Sequence, residues 1–317
     1  TRSDGAADSS AQEGSPVDVM AIDIVVPVVS GAVQGCVYGL LGLGLVLLYK
    51  SGRIFNFAQA EMGAFAAFMT AFADAGSGFL PDMPVWAAVL FGMVTGVLLG
   101  LLIERLVVRP LFNAPKVTVV VATAGVFLLL YAVEGFLSGP GPRSATRIID
   151  GTLYENGGLR ITNLGGIIVL VLGVLAIASA LFFSRTRMGT AIIAVSQEPT
   201  ATRLVGISVE RTAAFTWAVA GLLGAIAGIL LSGTNGVIAP GLLTGLALVP
   251  AFTAAVFGGI TALPGAFVGG VVIGIIEALA ASNIPKDILP GSGKVVLFAA
   301  LLAVLLFRPA GLLGKET

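Results

Sequence analysis

Polar side chains able to act on a solute or an ion are rare within the apolar stretches of this chain. Glu61, Glu134 and Glu277 fall inside long apolar runs, and Asn56 and Gln59 come shortly before Glu61. A charged side chain at the centre of a bilayer costs about 2.5 kcal/mol or more, so it usually faces a cavity or a partner. Such residues can line a pathway for a polar solute or relay a coupled ion.

Two interpretations of these residues stay open. Glu61 either lines a pathway together with Asn56 and Gln59, or it caps the start of its helix and meets the positive end of the helix dipole. Glu134 and Glu277 either act within the membrane or lie near the outer ends of their helices, where an ionised group costs little.

Residues that catalyse reactions or bind metals are scarce. The sequence has no histidine, and its one cysteine, Cys36, lies inside an apolar run. A disulfide framework, a Ser–His or Cys–His pair and a typical zinc site are therefore excluded. Residues 291–294 read GSGK, but Ile288 stands where a phosphate-binding loop has its first glycine. We expect no catalytic residue, no metal and no bound cofactor in this chain.

The composition identifies the elements that must position these side chains. Hydrophobic residues make up 57% of the 317 residues, charged residues 11%, and the mean hydropathy is +1.03. Soluble domains carry about 25% charged residues, so this chain lacks the polar surface that water requires. The apolar runs are continuous rather than alternating, which favours helices over barrel strands. The sequence predicts an all-α, polytopic membrane bundle, and the zero net charge gives no reason to expect a nucleic-acid partner.

About nine transmembrane segments are predicted, because one helix needs ~20 mainly apolar residues to cross the bilayer. They cover residues 24–49, 58–75, 85–103, 117–137, 164–183, 213–231, 242–260, 262–281 and 295–307. Pro250 and Gly258 interrupt the seventh segment, which is therefore either a full span or a broken or re-entrant helix. Lys and Arg are concentrated after the first, third, fifth and ninth segments, which predicts an N-terminus outside and a C-terminus inside.

The segments between the spans differ in character. Residues 1–22 are rich in Asp, Ser, Gly and Ala, so we expect a disordered extracytoplasmic tail before one membrane domain over 23–317. Residues 138–163 form the one sizeable outer loop. The inner loop over 184–211 contains enough apolar residues to form a short helix, with Pro199 in the first turn.

Glycine accounts for 43 residues, and many glycines recur four apart on one helix face. Four such sets are Gly31, Gly35 and Gly39; Gly92, Gly96 and Gly100; Gly224 and Gly228; and Gly265 and Gly269. Small residues at this spacing let helix backbones approach closely in lipid, so a tightly packed bundle is expected.

Three stretches resemble the permease subunits of branched-chain amino acid ABC importers, in particular the first of their two permeases. From Gly35 the chain reads GCVYGLLGLGLVLLYKSGRIFNFAQAEMGAF, similar to a glycine-rich helix, a basic turn and an N-F-A-H-G-E motif. From Arg187 it reads RMGTAIIAVSQEPTATRLVGISVERTAAFTWAVAGLLGAIAGIL, similar to the inner coupling loop. From Pro250 the stretch PAFTAAVFGGITALPGAFVGGVVIGIIEALA is the most similar to the family pattern.

The resemblance implies a permease without an ATPase site of its own, located in the bacterial cytoplasmic membrane. Its implied partners are a second homologous permease, two cytoplasmic subunits that use ATP and Mg, an extracytoplasmic solute-binding protein and membrane lipid. Carried over by position, the ATPase coupling contact falls on Gly189, Ala194, Glu198, Ala201, Leu204 and Gly206. The implied substrates are branched-chain or related hydrophobic amino acids.

The chain departs from the family pattern at two places. Gln59 and Ala60 stand where the motif usually has His and Gly, and Ile193 stands where the coupling loop usually has Arg. Related permeases carry urea and short amides, which is the first alternative function. An ion-coupled secondary transporter or channel is an alternative of another class, and a structural membrane scaffold is a third.

Overall fold

The computed structural model describes residues 16–76, 80–139, 141–156, 159–260, 262–285, 287–307 and 311. Within these ranges the chain forms eleven α-helices: α1 (Pro16–Gly52), α2 (Gln59–Asp74), α3 (Val85–Ile103), α4 (Lys116–Ser138), α5 (Asn163–Arg185), α6 (Arg187–Gln197), α7 (Pro199–Leu204), α8 (Val209–Asn235), α9 (Leu242–Gly258), α10 (Leu263–Asn283) and α11 (Ser292–Phe307). A π-helical turn (Glu104–Val108) and a 3-10 turn (Arg109–Leu111) prolong α3.

Six helical stretches in the described ranges are long and apolar enough to cross a membrane, which confirms a multi-span helical chain. They are Ile24–Gly52, Val85–Leu111, Lys116–Ser138, Asn163–Arg185, Val209–Asn235 and Leu263–Asn283. The other three expected spans correspond to α2, α9 and α11, which have 16, 17 and 16 residues. Such helices reach only about 24–26 Å at 1.5 Å per residue. The count of nine and the orientation of the termini stay predictions.

The structure changes two details of the sequence-based expectation. Residues 16–22, expected in the tail, form the first turns of α1, because extending an existing helix is much cheaper than nucleating one. Residues 1–15 of that tail lie outside the described residues. The segment expected over 242–260 is not broken at Pro250, because α9 is one continuous helix over Leu242–Gly258 and the Pro250 side chain is buried.

Four short strands lie among the helices, so the fold is mainly rather than purely α. The strand β1 (Arg143–Ser144) pairs antiparallel with β4 (Val237–Ile238), while β2 (Thr152–Asn156) and β3 (Leu159–Thr162) form a hairpin. Three of the four fall within the expected outer loop, and the β1–β4 pair connects that loop to the end of α8.

Glycine contacts hold the central helices together, as the spacing predicted. A Cβ on Gly31 of α1 would lie 2.6 Å from the Gly274 carbonyl oxygen of α10. A Cβ on Gly96 of α3 would lie 2.7 Å from the Gly221 carbonyl oxygen of α8. Gly224 and Gly228 face α2 in the same way, and Gly265 and Gly269 face α9. The central helices therefore approach each other backbone to backbone, and α2 is buried on nearly every side.

We expect Gly96→Ala to destabilise the folded protein by roughly 1–3 kcal/mol, because the added methyl group overlaps α8. Gly125→Ala on α4 is the matched control, since a Cβ there meets nothing within 4 Å. Thermal unfolding in detergent measures both variants. Equal melting temperatures would contradict the close α3–α8 contact.

Candidate functional site

A non-helical segment, residues 53–58, connects α1 to α2 and returns into the bundle. A Cβ on Gly44 would lie 2.5 Å from the side-chain amide nitrogen of Gln59, the first residue of α2. Gly44 precedes the end of α1 by eight residues, or about 12 Å of helix. The chain therefore reverses direction after α1 and runs back alongside it before α2 begins. We call residues 53–58 the re-entrant segment.

Side chains satisfy the backbone and amide groups of this segment. Asn56 accepts a hydrogen bond from the Ala58 N–H at 3.0 Å and donates to Gln59 Oε1 at 3.3 Å. Gln59 donates to the Ala220 carbonyl oxygen of α8 at 2.8 Å. The Phe57 N–H donates to the Thr123 hydroxyl of α4 at 3.3 Å. These bonds matter because unsatisfied backbone groups at membrane depth are tolerated only inside protein or beside a water-filled cavity.

Glu61 lies in the first turn of α2, at the positive end of the helix dipole, as one of the two interpretations expected, but its side-chain hydrogen bond is to another helix. The N-cap residue of α2 is Ala58, which makes no side-chain capping bond. The Thr244 hydroxyl of α9 instead donates to Glu61 Oε2. Because Gln59 contacts Ala220, about halfway along the 27 residues of α8, Glu61 also lies deep in the bundle rather than at a membrane surface.

Glu134 of α4 meets Glu61 at this depth, which the sequence alone did not reveal. Both side chains are fully buried, and their carboxyl groups lie within hydrogen-bonding reach of each other. Glu61 Oε1 and both oxygens of Glu134 have no hydrogen-bond donor among the described residues. The Gly241 backbone lies near both groups but forms no hydrogen bond to any of these three oxygens. We call Glu61, Glu134 and Thr244 the carboxyl cluster.

Glu277 belongs to a different set of contacts. It is half-buried on α10, and its carboxyl group lies close to the Tyr38 hydroxyl of α1. The Gln34 side-chain amide donates a hydrogen bond to the same hydroxyl at 2.9 Å. Lys294 of α11 is its neighbouring cation. Glu277 thus takes part in a contact between α1, α10 and α11, and its two sequence-based alternatives stay predictions.

Aromatic rings surround the re-entrant segment. Phe55 stacks on Tyr49 with ring centroids 4.8 Å apart and meets Phe252 of α9 at 5.0 Å. Phe57 stacks on the other side of Phe252 at 6.3 Å. These rings pack the re-entrant segment against Tyr49 near the end of α1 and against Phe252 of α9.

Cavities lie toward both ends of the bundle. One of 380 Å³ is bounded by Phe72 of α2, Arg143 of β1 and Ile238 of β4. Another of 510 Å³ lies at the opposite end of α2, where Arg53, Lys116 and Arg203 contribute to its wall. Arg53 and Ile54 of the re-entrant segment line the second cavity, whereas no residue of the carboxyl cluster lines either one.

The expected coupling residues occupy α6, α7 and their flanks. Glu198 caps α7 through a hydrogen bond from the Thr200 N–H at 3.3 Å, and Pro199 is its first residue, as predicted. Ala194 is half-buried, whereas Glu198, Ala201, Leu204 and Gly206 are exposed. Gly189 is buried, and a Cβ there would lie 2.6 Å from the Phe182 carbonyl oxygen of α5. Five of the six positions are thus accessible, while Gly189 serves the contact between α5 and α6.

Comparison with known proteins agrees with this architecture. The family model described as branched-chain amino acid transport system / permease component matches residues 28–306. The high-affinity branched-chain amino acid transport system permease protein LivH of Escherichia coli strain K12 is 30% identical over 299 residues, covering 90% of this chain and 94% of that protein. The chain belongs to the branched-chain amino acid transport permease family.

Two other relatives show the same extent of similarity. The permease protein BraD of Pseudomonas aeruginosa is 32% identical over 297 residues, covering 90% of this chain and 94% of that protein. A probable permease protein LivH of Methanocaldococcus jannaschii is 28% identical over 289 residues, with coverages of 87% and 88%. The residues that the family model matches, 28–306, span the re-entrant segment, the carboxyl cluster and the helices α6 and α7.

Thr123→Val should loosen the re-entrant segment, because valine has the same shape but cannot accept the Phe57 N–H. Losing that bond costs on the order of 1 kcal/mol, so the Phe57 amide should exchange several-fold faster with deuterium. Thr95→Val is the control, since the Thr95 hydroxyl bonds only within its own helix, to Phe91. Unchanged exchange at Phe57 would show that Thr123 does not hold the segment.

Proposed function

We propose that this chain is a transmembrane permease subunit of an ABC importer for branched-chain or related hydrophobic amino acids. The observation that carries the proposal is the family match over residues 28–306, together with relatives whose names specify branched-chain amino acid transport. The permease forms the pathway, and ATP with Mg is used by partner subunits. We place it in the cytoplasmic membrane of a bacterium, with the N-terminus outside.

Asn56, Gln59 and Glu61 are the proposed polar groups of the pathway. They are buried, and the segment that carries Asn56 is non-helical at membrane depth. Interrupted helices at this depth are typical of transporter substrate sites. The aromatic rings at Phe55, Phe57 and Phe252 pack together, so passage requires the helices to rearrange between two packed states.

The helices α6 and α7 are the proposed contact for the cytoplasmic ATPases. The proposed coupling residues on this surface are Ala194, Glu198, Ala201, Leu204 and Gly206, and Gly189 supports it from a buried position against α5. Leu204 is 86% exposed and Val205 is 74% exposed at the tip of the loop. Exposed apolar side chains beside polar ones are typical of an interaction surface. A second homologous permease and an extracytoplasmic solute-binding protein complete the proposed complex.

One observation favours a second candidate function. Two buried carboxyl groups in contact are the kind of site that an ion-coupled transporter uses. Transport that continues without ATP and stops when the proton gradient is collapsed would support this candidate.

The urea and short-amide alternative keeps the same transport machinery and differs only in the substrate. Uptake assays with labelled urea therefore separate it from amino acid transport.

Leu204→Ser should reduce leucine uptake about tenfold or more, because it removes an apolar contact for the ATPase and touches little else in this chain. Leu153→Ser in the β2–β3 hairpin is the matched control, with 67% exposure. Uptake and ATP hydrolysis are measured together in proteoliposomes of the complete complex. Normal uptake by Leu204→Ser would contradict the assigned coupling surface.

A further inference from the structure

The carboxyl cluster has more acceptors than the chain supplies donors. Glu61 Oε1, Glu134 Oε1 and Glu134 Oε2 are buried without a donor, and Thr244 serves only Glu61 Oε2. None of the ion pairs within the described ranges includes either glutamate. The Lys294 ammonium of α11 donates instead to the Gly245 carbonyl oxygen at 3.5 Å. Two buried carboxyl groups in contact hold one proton between them, which pairs one oxygen of each and leaves one negative charge. Buried polar groups are normally paired, so the remaining charge and the remaining Glu134 oxygen indicate a cationic ligand with donors.

A primary ammonium group fits these acceptors. It carries one positive charge and three N–H donors, which match the single negative charge of a carboxyl pair that shares one proton and the lone pairs of oxygens that no other residue serves. A divalent metal ion fits poorly, because Ca²⁺ and Mg²⁺ require six or more oxygen ligands and the cluster supplies two carboxyl groups and one hydroxyl. Urea offers N–H donors but no charge, so it would leave the two acidic side chains without a cation.

We propose that Glu61 and Glu134 bind the α-ammonium group of the amino acid as it passes through the permease. This assignment rests on the proposed function and adds Glu134 to the pathway. It also gives the permease its own preference for substrates with an ammonium group over urea and short amides, beyond any selection by a solute-binding protein.

The packing of α4 shows how the site can open. The buried residues of α4 form one narrow stripe: Val119, Thr123, Val126, Leu130, Glu134 and Ser138. Glu134 lies on this stripe, so moving α4 away from α2 exposes both carboxyl groups at once. Leu130, one turn earlier on the same stripe, provides apolar surface for an aliphatic side chain. A ligand with an ammonium group next to a branched apolar body matches this arrangement.

The test uses the complete complex in nanodiscs and three probes. Leucine and 3-methylbutylamine carry the ammonium group, whereas 4-methylpentanoate has the same apolar body without it. Dicyclohexylcarbodiimide labels carboxyl groups inside membranes, and mass spectrometry gives the labelled fraction at Glu61, Glu134 and Glu277. We expect leucine and 3-methylbutylamine to reduce labelling of Glu61 and Glu134 several-fold, with no effect of 4-methylpentanoate and no change at Glu277.

Uptake by charge-neutral variants gives an independent readout. Glu61→Gln and Glu134→Gln should each lower leucine uptake about tenfold or more, because each replaces a charged acceptor for the ammonium group. Glu277→Gln is the matched control, a half-buried glutamate with a vacant oxygen outside the cluster, and it should stay within about twofold of wild type. Thermal unfolding of the three variants checks that the fold is kept.

The outcomes separate the ammonium site from the proposed function. Leucine transport by the wild type, with no protection by either amine-bearing probe or with full activity in Glu134→Gln, overturns the site and leaves the importer intact. Uptake of urea or acetamide but not of leucine, with no protection by 3-methylbutylamine, overturns both. If the carbodiimide labels neither glutamate, the test depends on leucine uptake. Uptake by Glu134→Gln that is about tenfold below that of Glu277→Gln supports the ammonium site, and equal uptake by the two variants overturns it.

Discussion

The need to satisfy backbone polar groups away from water governs this structure. Helices meet that need internally, but residues 53–58 leave the helical path inside the bundle and depend on hydrogen bonds from side chains. Asn56 and Thr123 supply them, and Gln59, which accepts from the Asn56 side chain, donates to the Ala220 carbonyl oxygen of α8. Because these bonds fix where α2 begins, they also set the depth of Glu61 and bring it to Thr244 and Glu134. The candidate site is therefore a consequence of how one short connection is accommodated.

Close helix packing makes this arrangement sterically feasible. The re-entrant segment needs room beside α1, and Gly44 provides it, since a larger residue there would overlap the Gln59 side chain. Gly63 and Gly228 likewise let α2 lie directly against α8. In lipid, small residues replace the hydrophobic effect as the basis of helix association. The same glycines that stabilise the bundle thus leave space for polar groups at its centre.

Local patterns in the sequence predicted the features that depend on neighbouring residues. The apolar runs gave the long helices, the glycine spacing gave the packing faces, and Pro199 after Glu198 marked the start of a short helix in the inner loop. Contacts between distant residues were not accessible in this way. The depth of Glu61 depends on Gln59 meeting Ala220, 161 residues later, and no local signal encodes that contact. For the same reason, no local pattern indicated that Glu134 and Thr244 lie beside Glu61.

Leucine uptake into proteoliposomes that contain this chain with its ATPases, its partner permease and a leucine-loaded binding protein tests the central claim most directly. The account predicts concentrative uptake that requires ATP and persists when the proton gradient is collapsed. Uptake that proceeds without ATP and is abolished by a proton ionophore would contradict it, since the pathway would then be driven by an ion rather than by partner ATPases.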